Sequence, residues 1–174
     1  LQELAGDLRV AVVEGDLFTT KDAARIERCG APVVQINTSG GCHLDAAMVA
    51  AALDRLDLDA LDLLVIENVG NLVCPAEFAL GEDEKAVVLS ITEGDDKPLK
   101  YPLIFKESAA AVLSKVDILP YTNFDMASAR ADITALHPGI ALFPVSCQTG
   151  EGLADWYAWL RAQVAAKKAG KEVR

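Results

Sequence analysis

Short apolar runs alternate with helical stretches along almost the whole chain, and this alternation limits the fold more than any other feature. The runs read as strands and span residues 9–13, 33–37, 61–66, 85–91, 109–113 and 140–145. Helical patterns lie between and after them, at residues 21–29, 44–56, 98–106, 124–136 and 152–169. Strands that alternate with helices through short connections favour a parallel sheet. We therefore predict an α/β fold, with a mostly parallel sheet and helices on both of its faces.

Individual residues mark where some of these elements begin and end. Thr20 is expected to cap the first helix, and Gly30 to end it. Asp125 lies near the start of the fourth helix, and Pro102 interrupts the short third one. The segment 74–84 shows no such pattern, and we expect it to be irregular.

The composition narrows the classes of partner. A chain of 174 residues fits one domain with its own core, and we predict a single domain over 1–174. The formal net charge of -10 argues against nucleic acid and anionic membranes, which both bind basic surfaces. No apolar run approaches the roughly 18 residues of a membrane span, and no signal peptide is visible. Four cysteines are too few for a disulfide scaffold, so we expect reduced thiols in a cytoplasmic protein.

The first residues give a further expectation. The chain begins at Leu1 without a methionine, and residues 1–5 read like the tail of a helix that Gly6 closes. We therefore expect a fragment that is truncated at its amino end.

Two loops carry the residues with metal-binding chemistry. Residues 40–45 follow the second strand and hold Cys42 and His43, whereas Cys74 ends the loop after the third strand. Ligands bind at the carboxyl edge of open α/β sheets, and two thiolates with an imidazole supply most of a soft metal site. The set suits Zn²⁺ as a tetrahedron, or Ni²⁺ as a square plane once a further nitrogen or thiolate joins. The alternative is that Cys74 is a small core residue and His43 caps a helix.

Local chemistry gives two expectations for these thiols. Cys42 precedes the helix 44–56, whose dipole should lower the pKa of the thiol. Cys74 lies four residues after Gly70 in the same loop, so movement of that glycine should displace a ligand. The other cysteine in the first half, Cys29, is expected to be structural, and His137 to be a solvated residue at a helix end.

Two loops in the second half of the chain suit guanine recognition. Lys115 and Asp117 follow the fifth strand, where a carboxylate can accept the two N–H groups of guanine and the lysine stem can pack on the base. Ser146 and Cys147 follow the last strand, where backbone amides can face the guanine oxygen. The alternative for the first pair is a Lys-x-Asp that occurs in a loop by chance.

Strand ends in the first half suit magnesium and phosphate. Glu67 ends the third strand and could hold a magnesium-bound water, and Gly70 lets a backbone N–H approach a γ-phosphate. Asp16 follows the first strand and could be a second outer magnesium group. The alternative is that both acids are solvated groups at strand ends.

Longer motifs carry a family resemblance that covers essentially the whole chain. They are NTSGGCHLDA at 37–46, IENVGNLVCPAE at 66–77 and EGDDKPLKYP at 93–102. The chain closely resembles the hydrogenase nickel-incorporation GTPases, the HypB family. The resemblance implies a P-loop NTPase fold of the metal-chaperone class, GTP hydrolysis, and nickel delivery during [NiFe]-hydrogenase maturation.

The resemblance also implies residue roles and partners. The family's metal ligands in this domain fall on Cys42, His43 and Cys74, and its guanine motif falls on Lys115 and Asp117. The expected ligands are GTP, Mg²⁺, and Ni²⁺ or Zn²⁺. The expected partners are a second copy of the chain when nucleotide is bound, and other hydrogenase maturation proteins.

The sequence departs from the family pattern in three places. No phosphate loop of the form Gly-x-x-x-x-Gly-Lys-Ser/Thr is present, and Ser114 replaces the usual asparagine before the guanine lysine. The usual lysine of the family's Gly-Lys-Gly before the Cys-His pair is also replaced, since the run here is Ser39-Gly40-Gly41. We therefore expect the intact protein to be a GTPase and this stretch to bind GTP hardly at all.

The second hypothesis is a metal-binding module without nucleotide activity. A thiol redox or zinc hydrolase domain has little support, because no Cys-x-x-Cys or His-Glu-x-x-His is present.

Overall fold

The structure is a computed structural model that describes residues 1–16 and 26–172. The predicted cap Thr20 and most of the helix 21–29 lie outside the described residues. The described end of that stretch runs from Ile26 into a turn, in which Gly30 has a φ of 79° and its N–H donates to the Glu27 carbonyl. Gly30 therefore ends the stretch as the sequence predicts, because glycine adopts positive φ without steric cost.

The described chain forms two compact units. The first comprises Leu1–Gly81 and Val164–Arg174. Its sheet has three parallel strands in the order β2-β1-β3, which are β1 (Val10–Asp16), β2 (Val33–Asn37) and β3 (Leu63–Glu67). Two α-helices and a 3₁₀ turn follow these strands, namely α1 (Ala46–Leu53), the 3₁₀ turn Leu58–Ala60 and α2 (Cys74–Glu77).

The core of the first unit is centred on β1. Val12 packs against Ile26 and Ala31, and Val13 packs against Val34 and Ala52. Since neighbouring strand residues point to opposite faces, these two valines bury apolar groups on both sides of the sheet. This explains why the run is apolar without alternation.

The second unit is Glu82–Gln163. Its strands are also parallel, in the order β4-β5-β6, and they are β4 (Ala86–Ser90), β5 (Ala110–Ser114) and β6 (Ala141–Val145). Its helices are α3 (Lys97–Lys100), α4 (Pro102–Lys106), the 3₁₀ helix Val116–Tyr121 and α5 (Met126–Leu136). The last helix, α6 (Leu153–Glu172), begins in this unit and ends in the first.

Buried apolar side chains and a helix cap define the second unit. Phe105 and Ile133 are fully buried, and every residue of β5 except its last, Ser114, is buried. Asp125 accepts hydrogen bonds from the N–H groups of Ala127 and Ser128 at 2.9 and 3.0 Å. Asp125 therefore caps α5, because its carboxylate satisfies amides that lack partners within the helix.

The two ends of α6 are held differently. In the second unit, Phe143 lies edge-on to Trp156 with ring centroids 5.3 Å apart, and Trp156 stacks on Trp159. In the first unit, Lys168 forms an ion pair of 2.6 Å with Asp62, which Arg9 also contacts at 3.1 Å. The hydrogen bonds from Arg9 and then from Lys168 hold the pKa of Asp62 well below its usual range.

The predicted α/β class with parallel strands is confirmed, and four local predictions differ from the structure. The first strand continues through Asp16, because Gly15 and Asp16 still pair with β2. The helix expected over 44–56 is shorter, the segment expected to be irregular contains α2, and a 3₁₀ helix follows β5. No helix in the described ranges is long and apolar enough to cross a membrane.

A candidate metal centre between two loops

The loop after β2 turns sharply before the first candidate ligand. Asn37 accepts a hydrogen bond from the Ser39 N–H at 2.8 Å, and the buried Thr38 donates its hydroxyl to the Gly41 carbonyl at 2.8 Å. Ser39 and Gly40 have positive φ values of 51° and 94°. Gly40 suits this turn, because glycine adopts positive φ without steric cost.

Leu44 anchors the residues that follow the two ligands. Its side chain is fully buried, and it lies against Gly15 of β1. Asp45 caps α1 by accepting a hydrogen bond from the Met48 N–H at 2.8 Å, so the helix begins at Ala46. The helix was predicted to begin at Leu44. It begins later because aspartate is favoured at the N-cap of a helix and disfavoured in its interior.

The loop after β3 binds the loop after β2 through two asparagines. Asn68 accepts a hydrogen bond from the Leu44 N–H at 2.8 Å. Asn71 donates its amide to the Cys42 carbonyl at 2.7 Å and accepts from the Cys74 N–H at 2.9 Å. Neither residue was predicted to act here, although two amide side chains three positions apart in an otherwise largely apolar loop could have indicated them.

The three predicted metal ligands come together. One ligand atom of each of Cys42, His43 and Cys74 lies within 4.8 Å of the others. The two sulfur atoms are 3.0 Å apart, and the Cys42 sulfur is 3.5 Å from His43 Nδ1. The imidazole stacks on Phe78, with ring centroids 3.9 Å apart. The arrangement offers two soft sulfurs and one nitrogen to an ion, which is the chemistry of zinc and nickel sites.

The two thiols differ in acidity. The pKa of Cys42 is lowered, first by the hydrogen bond with Cys74 and next by that with His43. The pKa of Cys74 is raised, first by the same hydrogen bond and then by burial. The predicted lowering at Cys42 is therefore confirmed in direction. The two hydrogen bonds are its largest causes, whereas the contribution of the helix dipole stays a prediction, and α1 begins only at Ala46.

The sheet order explains how the loops meet. β1 lies between β2 and β3, so the two loops approach each other across the carboxyl end of β1. Adjacent strands are about 4.8 Å apart, which separates β2 from β3 by roughly 10 Å. The loops close this gap, since Asn68 and Asn71 contact backbone groups on the far side.

The residues predicted for magnesium and phosphate lie in the first unit. Asp16 ends β1, and its carbonyl accepts a hydrogen bond from the Thr38 N–H at 3.0 Å. Glu67 ends β3 and is exposed. Gly70 is also exposed, and a Cβ added to it would meet no atom within 4 Å. Packing therefore does not require glycine at position 70.

The residues predicted for guanine lie in the second unit. Lys115 is exposed and left-handed, with a φ of 67°, and Asp117 is half-buried in the 3₁₀ helix that follows. Ser146 is fully buried, and its hydroxyl oxygen accepts hydrogen bonds from the N–H groups of Gln148 and Thr149. The hydroxyl of Ser146 thus holds its own loop together, while Cys147 beside it is exposed.

Two further predictions concern residues outside these loops. His137 lies at the end of α5 as expected, but it is half-buried, and its Nδ1 lies 3.0 Å from the Ser108 carbonyl oxygen. Cys29 is half-buried and forms no disulfide, and its structural role stays a prediction.

Comparison with known sequences identifies relatives of the chain. The family model described as "CobW/HypB/UreG, nucleotide-binding domain" matches residues 1–144. Hydrogenase maturation factor HypB of Escherichia coli K12 is 51% identical over 163 residues, which cover 94% of this chain and 56% of that protein. HypB of Azotobacter vinelandii is 52% identical over 92% of this chain and 54% of that protein. The chain thus spans just over half the length of these relatives.

Comparison with solved structures gives the same result. A crystal structure of HypB from Helicobacter pylori in complex with nickel matches with a TM-score of 0.90 and 39% identity, over 95% of this chain and 80% of that one. HypB from Archaeoglobus fulgidus matches with a TM-score of 0.87 and 34% identity, over 94% and 79% of the two chains. From the matched family model and these relatives, the chain belongs to the CobW/HypB/UreG family of nucleotide-binding domains, and within that family it is similar to HypB.

Proposed function

We propose that this chain serves in GTP-dependent delivery of nickel during [NiFe]-hydrogenase maturation, in the cytoplasm, with GTP hydrolysis coupled to metal transfer. Family membership and the similarity to HypB proteins support the nucleotide part. The observation that carries the metal part is the cluster of Cys42, His43 and Cys74, whose ligand atoms lie within 4.8 Å of one another. In this proposal the three residues hold the cargo ion.

The ligand types support a soft ion. Cys42 and Cys74 offer two sulfurs and His43 one nitrogen, and both Ni²⁺ and Zn²⁺ accept such ligands. The proposal of nickel therefore rests on the similarity to HypB proteins.

Three ligands leave a coordination position for a further group. Water, a receiving protein or a residue of a second copy could fill it. This position supports two proposed partners, which are a second copy of the chain when nucleotide is bound and other hydrogenase maturation proteins. A shared ion of this kind would pass between proteins by exchange of one ligand at a time.

The nucleotide roles are assigned by the same proposal. Asp16 and Glu67 hold waters of Mg²⁺, and the N–H of Gly70 reaches toward the γ-phosphate. Lys115 and Asp117 read the guanine base. The loop at Ser146 and Cys147 directs backbone amides to the guanine oxygen, and the buried Ser146 hydroxyl supports this by fixing the loop from within.

Nucleotide and metal should affect each other because Gly70 and Cys74 belong to one loop. A shift of the Gly70 amide toward a phosphate would move Asn71, which contacts both candidate thiol residues through the backbone. Equilibrium coupling between two sites is reciprocal and is typically about 1–3 kcal/mol, or roughly 5- to 150-fold in affinity.

Metal titrations in two nucleotide states test the proposal. The chain extended upstream of Leu1 to include a phosphate loop is titrated with Ni²⁺ and Zn²⁺, in GDP and in a non-hydrolysable GTP analogue. We expect the metal affinity to differ between the two states, and Cys74→Ala to remove most of the difference while Mg-GTP binding remains. Equal metal affinities in both states, with Cys74→Ala still binding as tightly, would contradict it.

A metal-binding module without nucleotide activity is the second candidate. It is favoured by one observation, which is that the 174 residues contain no Gly-x-x-x-x-Gly-Lys-Ser/Thr. That loop supplies most amides for the phosphates and the lysine for their outer oxygens. Calorimetry of the 174-residue chain with GTP separates the two candidates, since micromolar binding would exclude the second.

A further inference from the structure

One aromatic side chain lies flat against the histidine of the metal cluster. Phe78 stacks on His43 with ring centroids 3.9 Å apart and an angle of 14° between the ring planes. The nitrogen atoms of an imidazole bind an ion through lone pairs that lie in the plane of the ring, so a ring stacked on one face leaves them accessible. The stack therefore restricts the orientation of His43 without occupying its ligand atoms.

The plane of the imidazole decides whether it can share an ion with a thiol. His43 Nδ1 lies 3.5 Å from the Cys42 sulfur, so this edge of the ring already faces the first thiol. Rotation about the bond that joins the ring to the side chain would tilt the ring plane away from a common ion. Such a tilt would also break the flat contact with Phe78, and the contact therefore opposes it.

The helix that carries the second thiol also places Phe78. Cys74 begins α2, and Phe78 directly follows the last residue of this helix. Pro75 and Ala76 within it are buried, which anchors the short helix. One end of α2 thus supplies a sulfur to the cluster, and the other end supplies the ring that contacts His43.

We propose that Phe78 is a positioning residue that holds the plane of the His43 ring toward the ion site before an ion binds. The inference rests on the proposed metal site and goes beyond it. Phe78 is not a ligand in this scheme. It reduces the freedom that the imidazole must lose on binding, and the cost of immobilising one side chain corresponds to about 2- to 10-fold in affinity.

The exposure of Phe78 makes this role testable. Its side chain is 39% exposed, so its replacement should affect the stability of the fold much less than that of a buried side chain. Phe78→Leu keeps an apolar side chain but has no flat face. Phe78→Tyr keeps the face and adds only a hydroxyl at the far edge of the ring. A change in metal binding can therefore be separated from a change in folding.

The probe is Zn²⁺, because its tetrahedral sites combine cysteine and histidine ligands. We expect Phe78→Leu to lower the Zn²⁺ affinity of the 174-residue chain by about 2- to 10-fold, and Phe78→Tyr to keep the wild-type affinity. Val73→Ala is the matched control, because it removes an exposed apolar side chain beside Cys74 and keeps both rings. Its affinity should equal that of wild type.

Two measurements show whether Phe78 acts through the imidazole. Chelator competition for Zn²⁺ is carried out with Phe78→Leu in the wild-type chain and in His43→Ala, and the second effect should vanish because the imidazole is gone. Proton NMR of the metal-free chain follows the carbon-bound ring protons of His43, which the ring current of Phe78 shifts. The shift should remain in Phe78→Tyr and be lost in Phe78→Leu. Melting curves check that every variant is folded.

The outcomes distinguish this inference from the proposed function. If Cys42→Ser and His43→Ala both bind Zn²⁺ like wild type, the cluster is not a metal site and both ideas fail. If only Cys42→Ser loses Zn²⁺, His43 is not a ligand and the positioning role alone is wrong. The positioning role is also wrong if Phe78→Leu binds like wild type, or loses the same affinity with and without His43.

Discussion

The Leu44 side chain fills the space where Gly15 lacks a Cβ. A Cβ added to Gly15 would lie 2.8 Å from Leu44 Cγ, closer than real Cβ contacts occur. Leu44 is fully buried and directly follows His43, so this contact seats the ligand loop on the central strand. The glycine is required by packing and not by backbone conformation, since its φ is not positive.

Gly15→Ala should therefore destabilise the first unit. Overpacking a core typically costs about 1–3 kcal/mol, which exceeds the gain of up to about 1 kcal/mol that Gly→Ala can give elsewhere. The Ni²⁺ affinity should fall as well, because a displaced Leu44 would shift Cys42 and His43, which directly precede it. Thermal unfolding followed by circular dichroism measures the first effect, and chelator competition the second. Gly70→Ala is the control, since a Cβ there meets nothing within 4 Å. Wild-type stability in Gly15→Ala would contradict the packing argument.

Cys74→Ala should raise the pKa of Cys42 toward that of an ordinary thiol. The hydrogen bond with Cys74 is the largest cause of the lowered pKa, and removing it leaves the smaller contribution of His43. At neutral pH the fraction of Cys42 thiolate should fall, and alkylation by iodoacetamide should slow. Mass spectrometry of the labelled peptide measures the rate across pH. Cys147→Ala should leave the rate at Cys42 unchanged. An unchanged pH profile in Cys74→Ala would instead support the helix-dipole explanation.

Asp62→Asn should lower the melting temperature at neutral pH and have less effect in acid. Arg9 and Lys168 hold the pKa of Asp62 below its unfolded value of about 3.9, so the ionised carboxylate stabilises the fold above that pH. The contribution is lost as the pH falls through and below this range, because the carboxylate becomes protonated. The difference in melting temperature between wild type and variant should therefore shrink below about pH 4. Asp59→Asn, which removes an exposed carboxylate of the same unit, is the control.

Gly152→Ala should destabilise the second unit more than Gly150→Ala does. Both glycines have positive φ, which costs an alanine about 1–2 kcal/mol. A Cβ at position 152 would also overlap the Pro144 carbonyl oxygen, whereas one at position 150 meets nothing within 4 Å. Both tryptophans of the protein lie on α6 in this unit, so their fluorescence during urea unfolding reports on it. Equal stability of the two variants would contradict the overlap.

Asp117→Asn should change the preferred nucleotide from GTP to XTP in the chain extended upstream of Leu1. In the proposed function this carboxylate accepts two guanine N–H groups, and the substitution makes it an amide with one acceptor and one donor, which matches xanthine better. Competition between the two nucleotides measures the change. Ni²⁺ binding is the internal control and should be unaffected. An unchanged preference for GTP would mean that the base is read elsewhere.

The proximity of Cys42, His43 and Cys74 could be predicted because it depends on general rules. Parallel strands end at one edge, so Cys42 and Cys74 were placed together from the strand positions alone. Cysteine sulfurs and a histidine nitrogen at such an edge indicate a site for a soft metal ion. The alternation of strands and helices predicted the α/β class for the same reason, since a repeating pattern leaves few arrangements.

The contacts that hold the cluster could not be predicted in this way. Asn68 and Asn71 act through the backbone of a loop 24 and 29 residues away, and no local pattern specifies the partner of a loop amide. The fit of Leu44 on Gly15 is equally a tertiary contact. The 3₁₀ helix Val116–Tyr121 was not predicted, because a helix of six residues is too short to show a periodic pattern of apolar residues.

The separation of Cys42 and Cys74 along the chain has a mechanical consequence. An ion bound to both sulfurs closes a ring of chain between positions 32 residues apart, which contains α1 and β3. Such a cross-link removes conformational freedom from the opened state, and the effect increases slowly with the length of the ring. Unlike a disulfide, the cross-link can be removed by ligand exchange. The bound ion would therefore be a reversible cross-link between the two loops. Once a receiving protein removes the ion, the loops would be able to separate.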